Sequence, residues 1–337
     1  MLKRMDRCTM NKLIRKFNDL RSDPSFLRFQ HHLIADIYDQ LGQGYSAGEG
    51  EVSLVTRIAD SLKGKNYKGL TIHCEKIHGS KSYVSFTFRD KPTMKELGDL
   101  ILITVISDGR KRLLQKLCII QNKVLRDGKA HIDLEQLFLL KNFPLFSGTG
   151  GLFRGAKDVM FLNRQQCLGS YGFFDSPGEL ILVNAGILSN VINGSSTFNR
   201  AQLGSLPQGM NGAEEGDVFG LQGIPAFLDP MIMEEVFHYW YKRGFPIPFH
   251  GSFVPFSSSR RTLHDLHDVI RTWTSLRLGE LVYALDQCVD EEANNFASTI
   301  LRTIGFGQTV DLEGGNGEGE LNSDATVMVA HLDISQE

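Results

Sequence analysis

Apolar positions recur at three- and four-residue steps between residues 10 and 41, first Leu13, Ile14, Phe17 and Leu20, then Leu27, Leu33, Ile34, Ile37 and Leu41. This is the spacing of helices that bury one face. Asp23-Pro24 divides the run, because the residue before a proline avoids helical backbone. After a loop at 43–50, Glu51 opens an amphipathic helix with Val52, Leu54, Val55, Ile58, Ala59 and Leu62 on one side and Arg57, Asp60 and Lys63 on the other. The period then changes to two. Segment 70–75 reads as a strand, and 83–88 follows with Val84, Phe86 and Phe88 alternating against Ser85 and Thr87. Segments 100–106 and 113–120 are apolar without alternation and flank the polar turn Ser107-Asp108-Gly109-Arg110-Lys111. They predict a hairpin covered on both faces, in the middle of a sheet.

Further on, Asp133 is placed to cap a helix over 134–142, which stops before Pro144. Short apolar segments at 159–162, 169–174 and 179–183 continue the mixture to about residue 193. Segment 193–223 is rich in Gly, Ser, Asn and Gln and predicts a flexible insertion or linker. Beyond it, 230–243 and 262–303 read as helical, the latter in two or three pieces, joined by the Pro- and Phe-rich 244–256. The glycine-dense 313–319 predicts no ordered structure.

These elements predict an α/β (α+β) protein, a central mixed sheet flanked by helices with a mainly helical C-terminal region. The expected organisation is an N-terminal helical segment at 1–45, a core at 46–193, a linker at 194–223, a helical region at 224–306 and an acidic, disordered tail at 307–337. A chain of 337 residues with 42% apolar and 22% charged positions has room for such a core. The net charge of −3 conceals an asymmetry. Lys3, Arg4, Arg7, Lys12, Arg15, Lys16 and Arg21 crowd the start, whereas no Lys or Arg follows Gln308 among Asp311, Glu313, Glu318, Glu320, Asp324, Asp333 and Glu337. A basic end can approach phosphates and an acidic tail can compete for the same surface; two solvated termini are the plainer reading. Five scattered cysteines without CxxC spacing imply neither a zinc ribbon nor a disulfide framework, and fit a reducing cytoplasm. No apolar run has the length of a membrane span, so a soluble protein is expected.

Candidate chemistry lies on the hairpin. Folded about position 110, its partners have numbers summing to about 220, so Asp99 sits opposite Gln121 in Gln121-Asn122-Lys123. Lys123 lies two residues on, on the same face. A carboxylate, an amide and an ammonium thus meet at one end of a buried hairpin, preceded by a helix that begins at Glu51.

A Glu-led helix, an aspartate at a strand start and Gln-x-Lys at the end of the next strand resemble the PD-(D/E)xK nuclease superfamily, in the variant where glutamine replaces the usual acidic residue. The resemblance covers roughly residues 49–123. It implies a restriction-endonuclease-like fold and an Mg²⁺- (or Mn²⁺-) dependent nuclease hydrolysing DNA. Asp99, Gln121 and Glu51 would hold the metal, and Lys123 would orient the attacking water and offset phosphoryl charge. Gly98 stands where the family has proline, and Glu49 and Glu96 compete with Glu51 for the third ligand. The wording of Glu-Leu-Gly-Asp-Leu-Ile-Leu-Ile at 96–103, Leu-Cys-Ile-Ile-Gln-Asn-Lys at 117–123 and Gln136-Leu137-Phe138-Leu139-Leu140 before Phe143-Pro144 also looks like nuclease effectors of Lamassu-type anti-phage systems. That resemblance implies an SMC-like ATPase and a small subunit among the partners, besides DNA; a homo-oligomer is a separate expectation. The alternative is a catalytically inactive subunit that keeps the fold as a nucleic-acid- or partner-binding platform.

Other groups are weaker. His264 and His267, three apart in an expected helix, form a possible metal face, with a solvated face the simpler reading. Gly148-Thr149-Gly150-Gly151 with Gly155 lacks the lysine of a P-loop. Arg260-Arg261, and Lys63, Lys65 and Lys68, are basic clusters that either touch phosphates or face solvent. Phe237, Tyr239, Trp240, Tyr241 and Trp273 read as core or interface aromatics rather than base-stacking platforms.

Overall fold

The computed structural model describes residues 7–76, 83–149, 157–163, 167–205, 263–306, 310–312 and 325–336. The chain begins with helices α1 (Arg7–Ser22), α2 (Pro24–Ser46) and α3 (Glu51–Leu62). Strands β1 (Asn66–Tyr67), β2 (Leu70–Lys76), β3 (Tyr83–Phe88), β4 (Lys91–Glu96), β5 (Leu100–Asp108), β6 (Lys111–Val124) and β7 (Lys129–His131) follow. Next come α4 (Leu134–Asn142), β8 (Phe146–Gly148), β9 (Gly169–Phe174), β10 (Leu180–Asn184), α5 (Ala185–Ile192) and β11 (Thr197–Asn199), with a 3-10 turn at Arg200–Ser205. The last described elements are β12 (Leu263–His264), α6 (Leu266–Thr274), β13 (Glu280–Ala284), β14 (Gln287–Cys288), α7 (Glu291–Thr303) and β15 (Thr326–Asp333).

Helices α2 and α4 open on aspartate caps, of which the one at Asp133 is expected from the sequence. Asp23 accepts from the Ser25 amide with Pro24 in the first turn of α2, and Asp133 accepts from the Glu135 and Gln136 amides at the start of α4. The main sheet runs β1-β2-β15-β5-β6-β9-β10-β12. Most of its pairs are antiparallel; β15/β5 and β6/β9 are parallel. The long strand β6 pairs with β5 on one side, while on the other β13 takes its first half and β9 its second.

Hairpin residues 100–106 pair with 120–114 at the constant sum of 220. Side chains of β5 alternate between two cores. Leu100, Leu102 and Ile106 pack with Leu54, Ile58, Ile270 and Trp273 from α3 and α6. Ile101, Ile103 and Val105 pack on the other face with Leu137, Leu140, Leu188 and Ile300 from α4, α5 and α7. A strand serving two cores has no polar face, which is why these segments showed no alternation.

Three expectations are corrected. The tail at 307–337 is not disordered throughout, because Thr326–Asp333 forms the fully buried β15, wedged between β2 and β5. The C-terminal region is not helical alone among its described residues, since Glu280–Ala284 is a sheet strand on β6 and β14 pairs with it. The linker from 194 includes β11, paired with β7, and the 3-10 turn. The expected helix at 230–243, Gly150, Gly151, Gly155, Arg260-Arg261, and the aromatics Phe237, Tyr239, Trp240 and Tyr241 lie outside the described residues. Trp273 is a core residue on α6. Among the described residues no helix is long and apolar enough to cross a membrane.

Candidate active site at the end of the hairpin

Asp99 lies just before β5, held at the backbone from both sides. Its amide donates to the Ile120 carbonyl (3.0 Å) and its carbonyl accepts from the Thr326 amide (2.9 Å). Gly98, where the resembled family has proline, has a local reason. A Cβ there would stand 2.8 Å from Ile119 Cγ2 and 3.1 Å from the Ile120 carbonyl oxygen. The chain therefore runs too close to β6 for a larger residue, and the aspartate is drawn onto its partner strand.

The four expected residues converge. Gln121 donates from Nε2 to Asp99 Oδ2, and the Asn122 amide donates to the same oxygen at 2.9 Å. Lys123 acts on Asp99 electrostatically from the same strand face. Glu51, in the first turn of α3, crosses the sheet end from the opposite face, where its Oε1 accepts from the Val124 amide at 3.4 Å.

Burial pushes the Asp99 carboxyl above the usual carboxylate range. The Asn122 amide, the Lys123 charge and the Gln121 amide oppose this, and the negative charge of Glu51 adds to it. Asp99 and Glu51, two half-buried carboxylates near the strand end, are the residues here that could hold a hard divalent cation such as Mg²⁺ or Mn²⁺. The expected third ligand is turned away. Gln121 Oε1 accepts from Gln136 Nε2.

Glu49 is engaged elsewhere. Arg57 grips it through Nε (2.8 Å) and Nη2 (2.6 Å), Ser53 Oγ donates to it at 2.6 Å, and its carboxyl is drawn down to about 2, chiefly by Arg57. Glu96 contributes its backbone carbonyl, which accepts from Gln136 Nε2 at 3.1 Å.

Two residues beyond the expected set complete the surroundings. Gln136 is the third residue of α4, where a glutamine commonly turns back onto the cap; here it reaches across to β6. An amide at that position was the only signal in the sequence. Tyr171 pairs with Gln121 in the parallel β6/β9 register and is fully buried. Its hydroxyl has no hydrogen-bond partner among the described residues, and burial, then Asp133 and Asp99, raise its pKa. Removing an unpaired buried hydroxyl costs nothing and can stabilise. Tyr171→Phe is therefore expected to be neutral or more stable by up to ~1 kcal/mol in urea unfolding; a larger loss would show that the hydroxyl is bonded.

The other clusters do less. Lys63, Lys65 and Lys68 pair with Glu75 (3.0 Å), Asp36 (2.8 Å) and Asp23 (2.5 Å). His264 and His267 do not share a helix, because His264 is buried in β12 and only His267 lies in α6. Asp265, His267 and Asp268 do place one ligand atom each within 4.8 Å of one another. Asp265 already accepts from the Asp268 amide as the cap of α6. Comparison of the chain with protein-family models, curated proteins and solved structures returned no match.

Proposed function

We propose that the protein is an Mg²⁺-dependent phosphodiester hydrolase acting on DNA, on a restriction-endonuclease-like core. The observation carrying this reading is the convergence of Asp99, Gln121 and Lys123 on one strand face with Glu51 crossing from the helix on the other. The connectivity supports it. A helix (α3) leads to an antiparallel hairpin (β5, β6), and α4 then crosses to a parallel strand (β9) beside β6. Asp99 and Glu51 would hold the cation. When bound, it polarises the scissile phosphate and lowers the pKa of a bound water.

The chain's own groups do the rest. The Lys123 ammonium donates to a phosphoryl oxygen or to the attacking water and offsets charge that grows in the transition state. The Asn122 amide and Gln121 hold Asp99 in one orientation, so its second oxygen stays directed away from them. The wording of the segments around the site supports a role in bacterial phage or plasmid defence, beside an SMC-like ATPase and a small subunit.

The test is nicking of supercoiled plasmid in Mg²⁺ or Mn²⁺. Wild-type protein is expected to cleave and a chelator to stop it. A metal-ligand loss of several kcal/mol predicts that Asp99→Ala slows cleavage ~10³-fold, with Lys123→Ala also impaired. Cleavage surviving both substitutions would sink the assignment.

A further inference from the structure

The direction of the amides around Asp99 is fixed by a group that cannot reverse. The Glu96 backbone carbonyl only accepts, so the Gln136 side chain must turn its Nε2 towards it, at 3.1 Å. The same nitrogen donates to Gln121 Oε1. Gln121 is then left with its own Nε2 towards Asp99, donating to Oδ2. Each link allows one polarity. Turning Gln121 over would face two NH₂ groups across the first contact and set a carbonyl against a carboxylate across the second. Gln121 and Gln136 are both buried, so water does not readily take over either bond.

We propose that Gln121 is a positioning residue that donates to Asp99 rather than ligating a cation, and that Gln136 locks it in that role from the first turn of α4. The cation half of this rests on the hydrolase reading above. It follows that glutamine at this position is more than an acid that has lost its charge. It exchanges a ligand for a donor, and leaves the ion two carboxylates, with water and substrate oxygens to complete its shell. Cation binding is then weak without nucleic acid and strengthened by it, each ligand raising affinity for the other by the same factor.

Side-chain amide NMR on the full-length protein tests this, with Mg²⁺ as the probe. In metal-free protein a hydrogen bond to a carboxylate should slow exchange of the Gln121 NH₂ protons by about tenfold or more relative to exposed glutamines. Gln136→Met should abolish that protection, which a purely structural role for Gln136 would leave in place. Gln121→Met and Gln136→Met together should weaken Mg²⁺ binding no more than either alone, as expected for residues acting through one link. At Mg²⁺ saturation the Gln121 protection should persist.

Fast exchange of Gln121 in metal-free wild type would overturn the proposal. So would release of its amide on Mg²⁺ binding, which would make it a ligand. If Mg²⁺ shifts neither Asp99 nor Glu51, the hydrolase reading and the cation half fall together, while the metal-free exchange still decides the link to Gln136.

Discussion

Lys116→Met is expected to raise the stability of the folded protein by about 2–4 kcal/mol near pH 7. Lys116 sits in the middle of β6 and is fully buried. Burial lowers its pKa to about 7, with Arg277 adding to the effect and Cys167 and Glu280 opposing it. In the unfolded chain the same ammonium titrates near its ordinary value of 10.5. Between those two values the unfolded state binds more protons than the folded state, so wild-type stability rises with pH through that window. At and below neutral pH the full cost is present, and methionine, of similar length and without charge, removes it. Part of the gain is offset because buried Glu280 loses a neighbouring cation. Urea unfolding at pH 7 and pH 10 checks both sign and window. The difference between variant and wild type should shrink at the higher pH, and a destabilised variant at pH 7 would overturn the prediction.

The second large effect is at the C-terminal strand. A chain ended at residue 324 is expected to show no cooperative unfolding transition. Every residue of β15 is buried, and it hydrogen-bonds to β2 on one side and β5 on the other. Val327, Met328, Val329, Leu332 and Ile334 all lie in the two cores. At about 1.5–3 kcal/mol for each buried aliphatic side chain, their loss is comparable with the whole stability of a domain. Calorimetry or circular dichroism would decide; a sharp melt within a few degrees of the full chain would show the strand to be dispensable. Val329→Asp, which places an unpaired charge at a fully buried position, should be severely destabilised through the same strand.

The elements readable from the sequence are those whose instructions are local. Leu100 to Ile106 and its partner strand are joined by a short turn, so apolar content and turn chemistry together gave the pairing and the meeting of Asp99 with Gln121. Glu51 was placed by the clean period of α3, and only its electrostatic reach to Asp99 across the sheet end required the structure. β15 was obscured by its surroundings. Thr326 to Leu332 is an apolar, β-branched run of strand length, but it follows a glycine-dense acidic stretch whose composition dominates the tail. Glu280 to Ala284 blends into the helical period of its neighbours α6 and α7, since five apolar-rich residues carry no period of their own. Gln136 and Tyr171 reach the site through packing, one from a helix start and one through a parallel register, and neither has a signature at fixed spacing.

The placement of β15 also orders events in time. More than two hundred positions separate the end of β5 from the start of the strand that pairs with it in parallel. At ~10 residues per second of synthesis, the β5 edge of the hairpin stays open for ~20 s. That edge is apolar on both faces and is exposed to pairing with other chains until residues near 330 emerge. The Thr326 amide that closes it is also the one that bonds the Asp99 carbonyl. An interrupted chain would therefore carry the residues of the site without the strand that fixes them, and any cleaving activity would be withheld until late in synthesis. Sequence distance here works as a delay, with slow pairing and a longer-exposed edge as its cost.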